Sequence, residues 1–167
     1  MKTHAALALL MAVATPALAA PAPTPSIRTL AELPVVTRAP YDEAADADAL
    51  VRAAFDRAKK SGKRVLLDLG GNWCPDCLVL ANFMALPEIR RFVAQHYEVV
   101  YVDVGRFDRN LHIPARFGFK DRLKGVPMVI VAEADRRLVN RGDVFATASA
   151  TSMTPQALAA YLARYTK

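Results

Sequence analysis

The stretch that decides the fold runs Arg64-Val65-Leu66-Leu67-Asp68-Leu69, then Gly70-Gly71-Asn72, then Trp73-Cys74-Pro75-Asp76-Cys77. Residues 64–69 are a nearly unbroken apolar run of strand length, which reads as a short buried β-strand. The two glycines and the asparagine read as a turn. Residues 77–85 then carry Leu78, Val79, Leu80, Phe83 and Met84, an apolar helical run. Both cysteines of the chain therefore sit at a strand-to-helix junction with C-x-x-C spacing, a redox arrangement. Unpaired amides and the helix dipole stabilise a thiolate at a helix N-terminus. On this reading Cys74 is the attacking, exposed sulfur. Cys77, one turn on, is the buried, resolving sulfur, close enough to form a small redox disulfide with Cys74.

On the N-terminal side, residues 42–61 read as a helix with Leu50, Val51, Ala54, Phe55 and Ala58 on one face. Acids crowd its start, Lys59 and Lys60 its end, and Gly62 is a natural stop. On the C-terminal side, Pro87 interrupts the helix and suits a new first turn, so residues 88–95 restart it. Residues 98–104 (EVVYVDV) and 128–132 read as further strands. Residues 133–137 read as a hairpin turn into a fourth strand, 138–140. Thr154 and Pro155 supply a cap and a first helical position for a last helix with Leu158, Tyr161 and Leu162 inward. Strands alternating with helices imply an α/β layer with a mixed sheet.

The chain has 167 residues, 53% hydrophobic and 23% charged, enough for one domain with a sizeable core. Two cysteines exclude a disulfide scaffold, a four-cysteine zinc site and an iron–sulfur cluster. The net charge of +6 is unevenly spread. Residues 105–124 hold Arg106, Arg109, Arg116, Lys120, Arg122 and Lys124 against Asp108 and Asp121, a net charge of +4.

Residues 1–19 read as a secretory signal peptide. Lys2 opens it, residues 5–13 are apolar, and Ala17-Leu18-Ala19 offers a cleavage site after Ala19. The apolar run is shorter than the roughly 20 residues of a membrane span. The expectation is export, to the bacterial periplasm, where disulfides persist. Residues 20–41 form a Pro/Ala-rich arm, with proline at 21, 23, 25, 34 and 40. Leu30, Leu33, Val35 and Val36 are expected to lie along the folded domain, residues 42–167. No membrane-spanning helix follows the signal, and nucleic acid is a poor partner for an exported protein.

Three other readings of the cysteine pair compete. A zinc site needs two more ligands, and the histidines after the signal, His96 and His112, stand apart from the motif. A structural disulfide across three residues removes little unfolded-chain entropy. A c-type haem site needs a histidine after the second cysteine, where Leu78 stands.

Over about residues 44–165 the chain resembles the thioredoxin superfamily. The resemblance rests on W-C-x-x-C after a strand, an acid six residues before the first cysteine, and Gly125-Val126-Pro127 before a later strand. The W-C-P-D-C form looks most like exported thioredoxin-like proteins of bacteria. It implies a thioredoxin-like α/β fold, a central mixed β-sheet flanked by helices. It makes Cys74 the nucleophile and Cys77 the resolving cysteine, and Asp68 the buried acid that assists proton transfer. Desolvation would raise the pKa of Asp68. Val126-Pro127 matches the cis-proline loop, whose backbone receives the substrate chain, and Trp73 the aromatic beside the nucleophile. With Pro75 and Asp76 these form the expected substrate-binding set. The family's lysine near the buried acid has no counterpart, its position falling near Val99.

Thiol–disulfide exchange requires no cofactor and no metal. In DsbA-type oxidases a histidine between the cysteines favours the thiolate. Asp76 places a carboxylate there and disfavours it. The expected direction is reductase or isomerase rather than primary oxidase, on disulfide-containing exported proteins, by a monomer. The chain has no nicotinamide or flavin motif, so the resemblance implies recharging by a membrane thiol donor of DsbD type. The basic segment 105–124 leads into Gly125-Val126-Pro127 and is expected beside the active site, where it would steer acidic clients to Cys74. The alternatives are a redox-inactive binding module of the same fold and a dedicated thiol reductase in cytochrome c maturation.

Overall fold

The computed structural model describes residues 19–34 and 39–167. Residues 1–18 of the expected signal, and Val35 and Val36 of the arm, lie outside them. No described helix is long and apolar enough to cross a membrane.

The spine is strand β1, Arg64–Gly70. Among the described residues it is the middle of a three-stranded sheet. It pairs in parallel with β2, Tyr97–Asp103, and antiparallel with β3, Met128–Ala132. A middle strand buried on both faces requires a continuous apolar run, which 65–69 supplies except at Asp68. Val65, Leu67 and Leu69 face helix α1, Ala47–Ser61, through Val51, Ala54, Phe55 and Ala58. Leu66 faces the opposite layer, built by α2 (Pro75–Ala85), α3 (Pro87–His96) and α5 (Pro155–Arg164). A one-turn helix α4, His112–Ala115, lies in the basic segment.

Several expected boundaries shift for local reasons. Helix α1 starts at Ala47, not at 42. The Asp46 carboxylate caps it by accepting from the Ala49 amide at 2.9 Å, while the Asp42 carboxylate accepts from Ala44 N in a separate turn. Leu50 is 44% exposed, because Val51, Ala54, Phe55 and Ala58 already complete the inward stripe. Gly62, at φ +73°, ends the helix in the left-handed region. Leu86 and Pro87 break the long helix into α2 and α3 as expected. Thr154 caps α5 by accepting from Ala157 N at 3.1 Å.

The fourth strand, 138–140, does not form. Leu138 makes one isolated bridge to Ala132, and Val139 N donates to Val131 O at 2.8 Å. The next residue substitutes its side chain for a strand backbone. The buried Asn140 amide accepts from Val131 N and donates to Val129 O, both at 2.8 Å. Val129 N then donates to Val144 O at 2.8 Å. The outer edge of β3 is thereby satisfied by a loop.

The arm packs on the second layer through Ile27, Leu30 and Leu33. Ala20 N donates to Thr166 Oγ1 and Ser26 N to Glu88 Oε1. At the arm's far end Tyr41 is 1% exposed, fully inside the core.

Asn140→Ala strands two buried backbone groups. It is expected to lower stability by about 2–4 kcal/mol, read as a lower urea midpoint with an unchanged slope.

Candidate active site

The cysteines occupy the junction between β1 and α2. Cys74 is the N-cap of α2, and its Sγ accepts from the Cys77 amide at 3.2 Å, as a serine or aspartate cap would. Pro75 fills the first helical position, where no amide is needed. The Cys74 thiol donates to the Val126 carbonyl at 3.5 Å, and the Val126-Pro127 bond is cis. Residues 74 and 126 are thus brought together as the resemblance implied.

Cys74 was expected to be exposed, yet it is only 4% exposed, and Cys77 is fully buried. The capping geometry causes this by turning Sγ inward, under the Cys77 amide and against the Val126 carbonyl. Pro75 and Trp73 form the exposed rim. The hydrogen bond from the Cys77 side chain is the largest influence on the Cys74 thiol and lowers its pKa to about 7, against burial and the Asp76 charge. Asp76 therefore acts in the expected direction but is outweighed. The same hydrogen bond, with burial, pushes the Cys77 thiol up.

Asp76 has a structural partner that the sequence did not announce. Its Oδ1 accepts from Thr151 N at 2.8 Å and Thr151 Oγ1 at 2.7 Å. This ties the first turn of α2 to the short 3-10 turn Ala150–Ser152.

Asp68 lies on β1, fully buried. Burial raises its pKa to about 7, a hydrogen bond from Tyr41 opposes this, and the Cys74 charge adds to it. Tyr41 Oη donates to Asp68 Oδ1 at 3.0 Å, and Asp68 Oδ2 has no hydrogen-bond partner among the described residues. Across the sheet Asp68 stands opposite Tyr101, while Val99 stands opposite Leu66. Tyrosines therefore flank the acid. Sequence reasoning missed Tyr41, because residues 20–41 read as an arm. The one signal was a lone aromatic between Pro40 and Asp42.

The basic segment rests against the site at both ends. Trp73 Nε1 donates to Gly105 O at 2.7 Å, its ring meets Phe107 edge-on at 5.7 Å, and the Arg106 guanidinium lies 4.9 Å from its centroid. Arg109 pairs with the buried Asp103 at 3.2 Å. Arg116 and His112 each pair with Asp48 at 2.7 Å. Lys120, Arg122 and Lys124 make no ion pair among the described residues. Among those residues no group of three or more His, Cys, Asp or Glu side chains is placed to hold a metal ion.

A mixed sheet, a C-x-x-C pair capping the helix after its middle strand, and a cis-proline loop touching the first sulfur define a thioredoxin-like protein. A thioredoxin-like family model matches residues 46–134, and the chain belongs to that family. It is similar to a disulphide isomerase from Xylella fastidiosa, with 34% identity, a TM-score of 0.72, and coverage of 77% of this chain and 98% of that one. The oxidised C-terminal domain of DsbD from Neisseria meningitidis is 25% identical over 57% of this chain and 80% of that one, with a TM-score of 0.44. No curated protein matches the chain.

Burial of Asp68 has a pH signature. Its folded pKa of about 7 exceeds the ordinary 3.8, so the folded state binds the proton more tightly. The cost of Asp68 is absent below about pH 4, grows as pH rises, and is complete above about pH 7. Asp68→Asn is expected to match wild type in stability near pH 4 and exceed it by about 4 kcal/mol at pH 8, measured by urea unfolding at both values.

Proposed function

We propose that this protein is a thiol–disulfide oxidoreductase that works through the Cys74/Cys77 dithiol, in the reducing or isomerising direction, on disulfides of exported proteins. The observation that carries the reading is the Cys74 sulfur itself. It caps α2, touches the carbonyl before a cis-proline, and has its pKa lowered to about 7, while that of Cys77 is raised.

The chemistry follows from these positions. The Cys74 thiolate attacks one sulfur of a client disulfide and expels the other as a thiolate, which takes a proton. Cys77 then loses its proton to Asp68 and attacks Cys74 Sγ, so the second client sulfur leaves as a thiolate. Two electrons pass to the client, and the pair becomes a disulfide. Once ionised, Cys74 no longer donates to Val126 O, so that carbonyl is free to accept from a client amide, a short piece of strand addition.

The pKa also bears on direction. A nucleophile with pKa near ambient pH is the best attacker in disulfide exchange. A strong oxidase instead stabilises its thiolate to a pKa of about 3.5. Similarity to the Xylella fastidiosa disulphide isomerase supports the isomerising side. The signal-like segment 1–19 supports export to the periplasm. Recharging then falls to a membrane thiol donor of DsbD type. Lys120, Arg122 and Lys124, which make no ion pair among the described residues, with Arg106 on Trp73, favour acidic clients near the cis-proline loop.

Insulin reduction by dithiothreitol is expected to be catalysed by wild type and abolished in Cys74→Ser. Cys77→Ser is expected to accumulate mixed disulfides with clients. A reduction potential near that of a strong oxidase, about −120 mV, would overturn the direction.

Alkylation of Cys74 by iodoacetamide is expected to titrate with a midpoint near pH 7. In Cys77→Ala the midpoint is expected to move up toward the ordinary thiol value, because the largest lowering influence is removed.

A further inference from the structure

We propose that Tyr41 is a positioning residue of the redox site: its phenol fixes one oxygen of the Asp68 carboxylate and leaves the other as proton acceptor for Cys77. The inference rests on the oxidoreductase reading above and adds to it a residue from before the family match, which begins at residue 46.

Four observations converge on Tyr41. Its hydroxyl donates to Asp68 Oδ1 at 3.0 Å, inside the core. The other carboxylate oxygen, Oδ2, is buried and has no hydrogen-bond partner among the described residues. The Tyr41 main chain is clamped to the cysteine loop by Asn72, whose Oδ1 accepts from Tyr41 N at 3.1 Å and whose Nδ2 donates to Tyr41 O at 2.7 Å. Asn72 lies two residues before Cys74, so the clamp couples the phenol to the motif. Finally, a Cβ on Gly70 would lie 2.7 Å from Cys77 Sγ and 2.7 Å from Tyr41 Oη. The thiol and the phenol therefore approach the same spot over β1, and only a glycine leaves room for both.

Plain packing explains the ring but not the hydroxyl. The ring meets Tyr101 edge-on at 5.6 Å, which a phenylalanine would do equally well. The hydroxyl supplies a hydrogen bond to a buried acid on which no cation among the described residues acts. Among the described residues, Tyr41 at the end of the arm and Cys74 at the N-cap of α2 act on Asp68, and Asp68 in turn acts on Tyr101 of β2 and Cys77 of α2. From β3 its neighbour is Val129. A nearby ammonium would stabilise the carboxylate strongly and weaken it as a base. A neutral phenol does so less, and keeps the acid close to the pH at which it must take a proton.

The proton balance is simple. In the mixed disulfide, Cys77 S–H breaks, its proton passes to Asp68 Oδ2, and the sulfur's electron pair forms the bond to Cys74 Sγ. The bond from Cys74 Sγ to the client sulfur breaks, and its pair leaves with the client. Tyr41 keeps its own proton throughout.

The test uses the full chain, reduced, reacting with 5,5′-dithiobis(2-nitrobenzoate) in a stopped-flow spectrometer. The first burst of thionitrobenzoate reports attack by Cys74, and the second reports resolution by Cys77. Tyr41→Phe keeps the ring and removes the hydroxyl. Loss of a hydrogen bond to a charged group is expected to move the pH midpoint of the second burst up by about one unit. That burst then slows about tenfold at pH 6 and recovers by pH 9. In an Asp68→Asn background, Tyr41→Phe is expected to add nothing. A second burst that superimposes on wild type, or slows equally at every pH, overturns the proposal. A wild-type protein with no second burst overturns the oxidoreductase reading instead. Should Tyr41→Phe fail to fold, Asn72→Ala carries the same test, because it frees the clamp and keeps the hydroxyl. A midpoint unchanged in that variant overturns the proposal as well.

Discussion

A carboxylate in the middle of the central strand is the constraint around which this molecule is built. β1 is buried on both faces, and an isolated ionised carboxylate there is costly. Asp68 is tolerated because one oxygen has a phenol donor and because its pKa has risen to about 7. That arrangement needs Tyr41 inside the core, which needs the Asn72 clamp, which fixes the loop before Cys74. It also needs Gly70, since any side chain there collides with both the phenol and the second thiol. A stability cost at one residue thus dictates the conformation of its neighbours on three segments.

The first sulfur is held from outside the strand. The N-cap role aims Cys74 Sγ at the amide of Cys77, and the cis-proline loop meets it from the opposite side. Two long-range contacts keep those pieces in register. Asp76 fastens the first turn of α2 to Thr151 by two hydrogen bonds. Trp73 fastens the loop before it to Gly105 and Phe107. The basic segment is therefore a strap with both ends on the site. Much of its charge is neutralised locally by Asp103 and Asp48, so its cationic reach comes from its second half.

Much of this was legible in the sequence because it is written in local periodicity. The buried strand, the C-x-x-C turn, the proline break between α2 and α3, and the capped last helix each depend on residues close in the chain. The fourth strand was misread because 138–140 has strand-like composition, while the actual bonding comes from the Asn140 side chain, which periodicity cannot show. The exposure of Cys74 was misjudged because the helix N-terminus that activates a sulfur also turns it inward. Tyr41 was missed for a different reason. Its partners, Asp68 and Asn72, are 27 and 31 residues away, and no spacing rule links them.

The charges in the site also bear on the order of events in the proposed mechanism. Cys74 and Asp68 both have pKa values of about 7, and a negative Cys74 raises that of Asp68. A negative charge on Cys74 disfavours a second one on the buried Asp68. While Cys74 is a thiolate, the acid is biased toward its protonated form. When Cys74 enters a mixed disulfide, its charge disappears and Asp68 becomes more acidic. The carboxylate then appears at the step where the Cys77 thiol, whose own pKa is pushed up, must give up its proton. On the proposed mechanism, formation of the first covalent bond therefore favours the ionised base that the second requires.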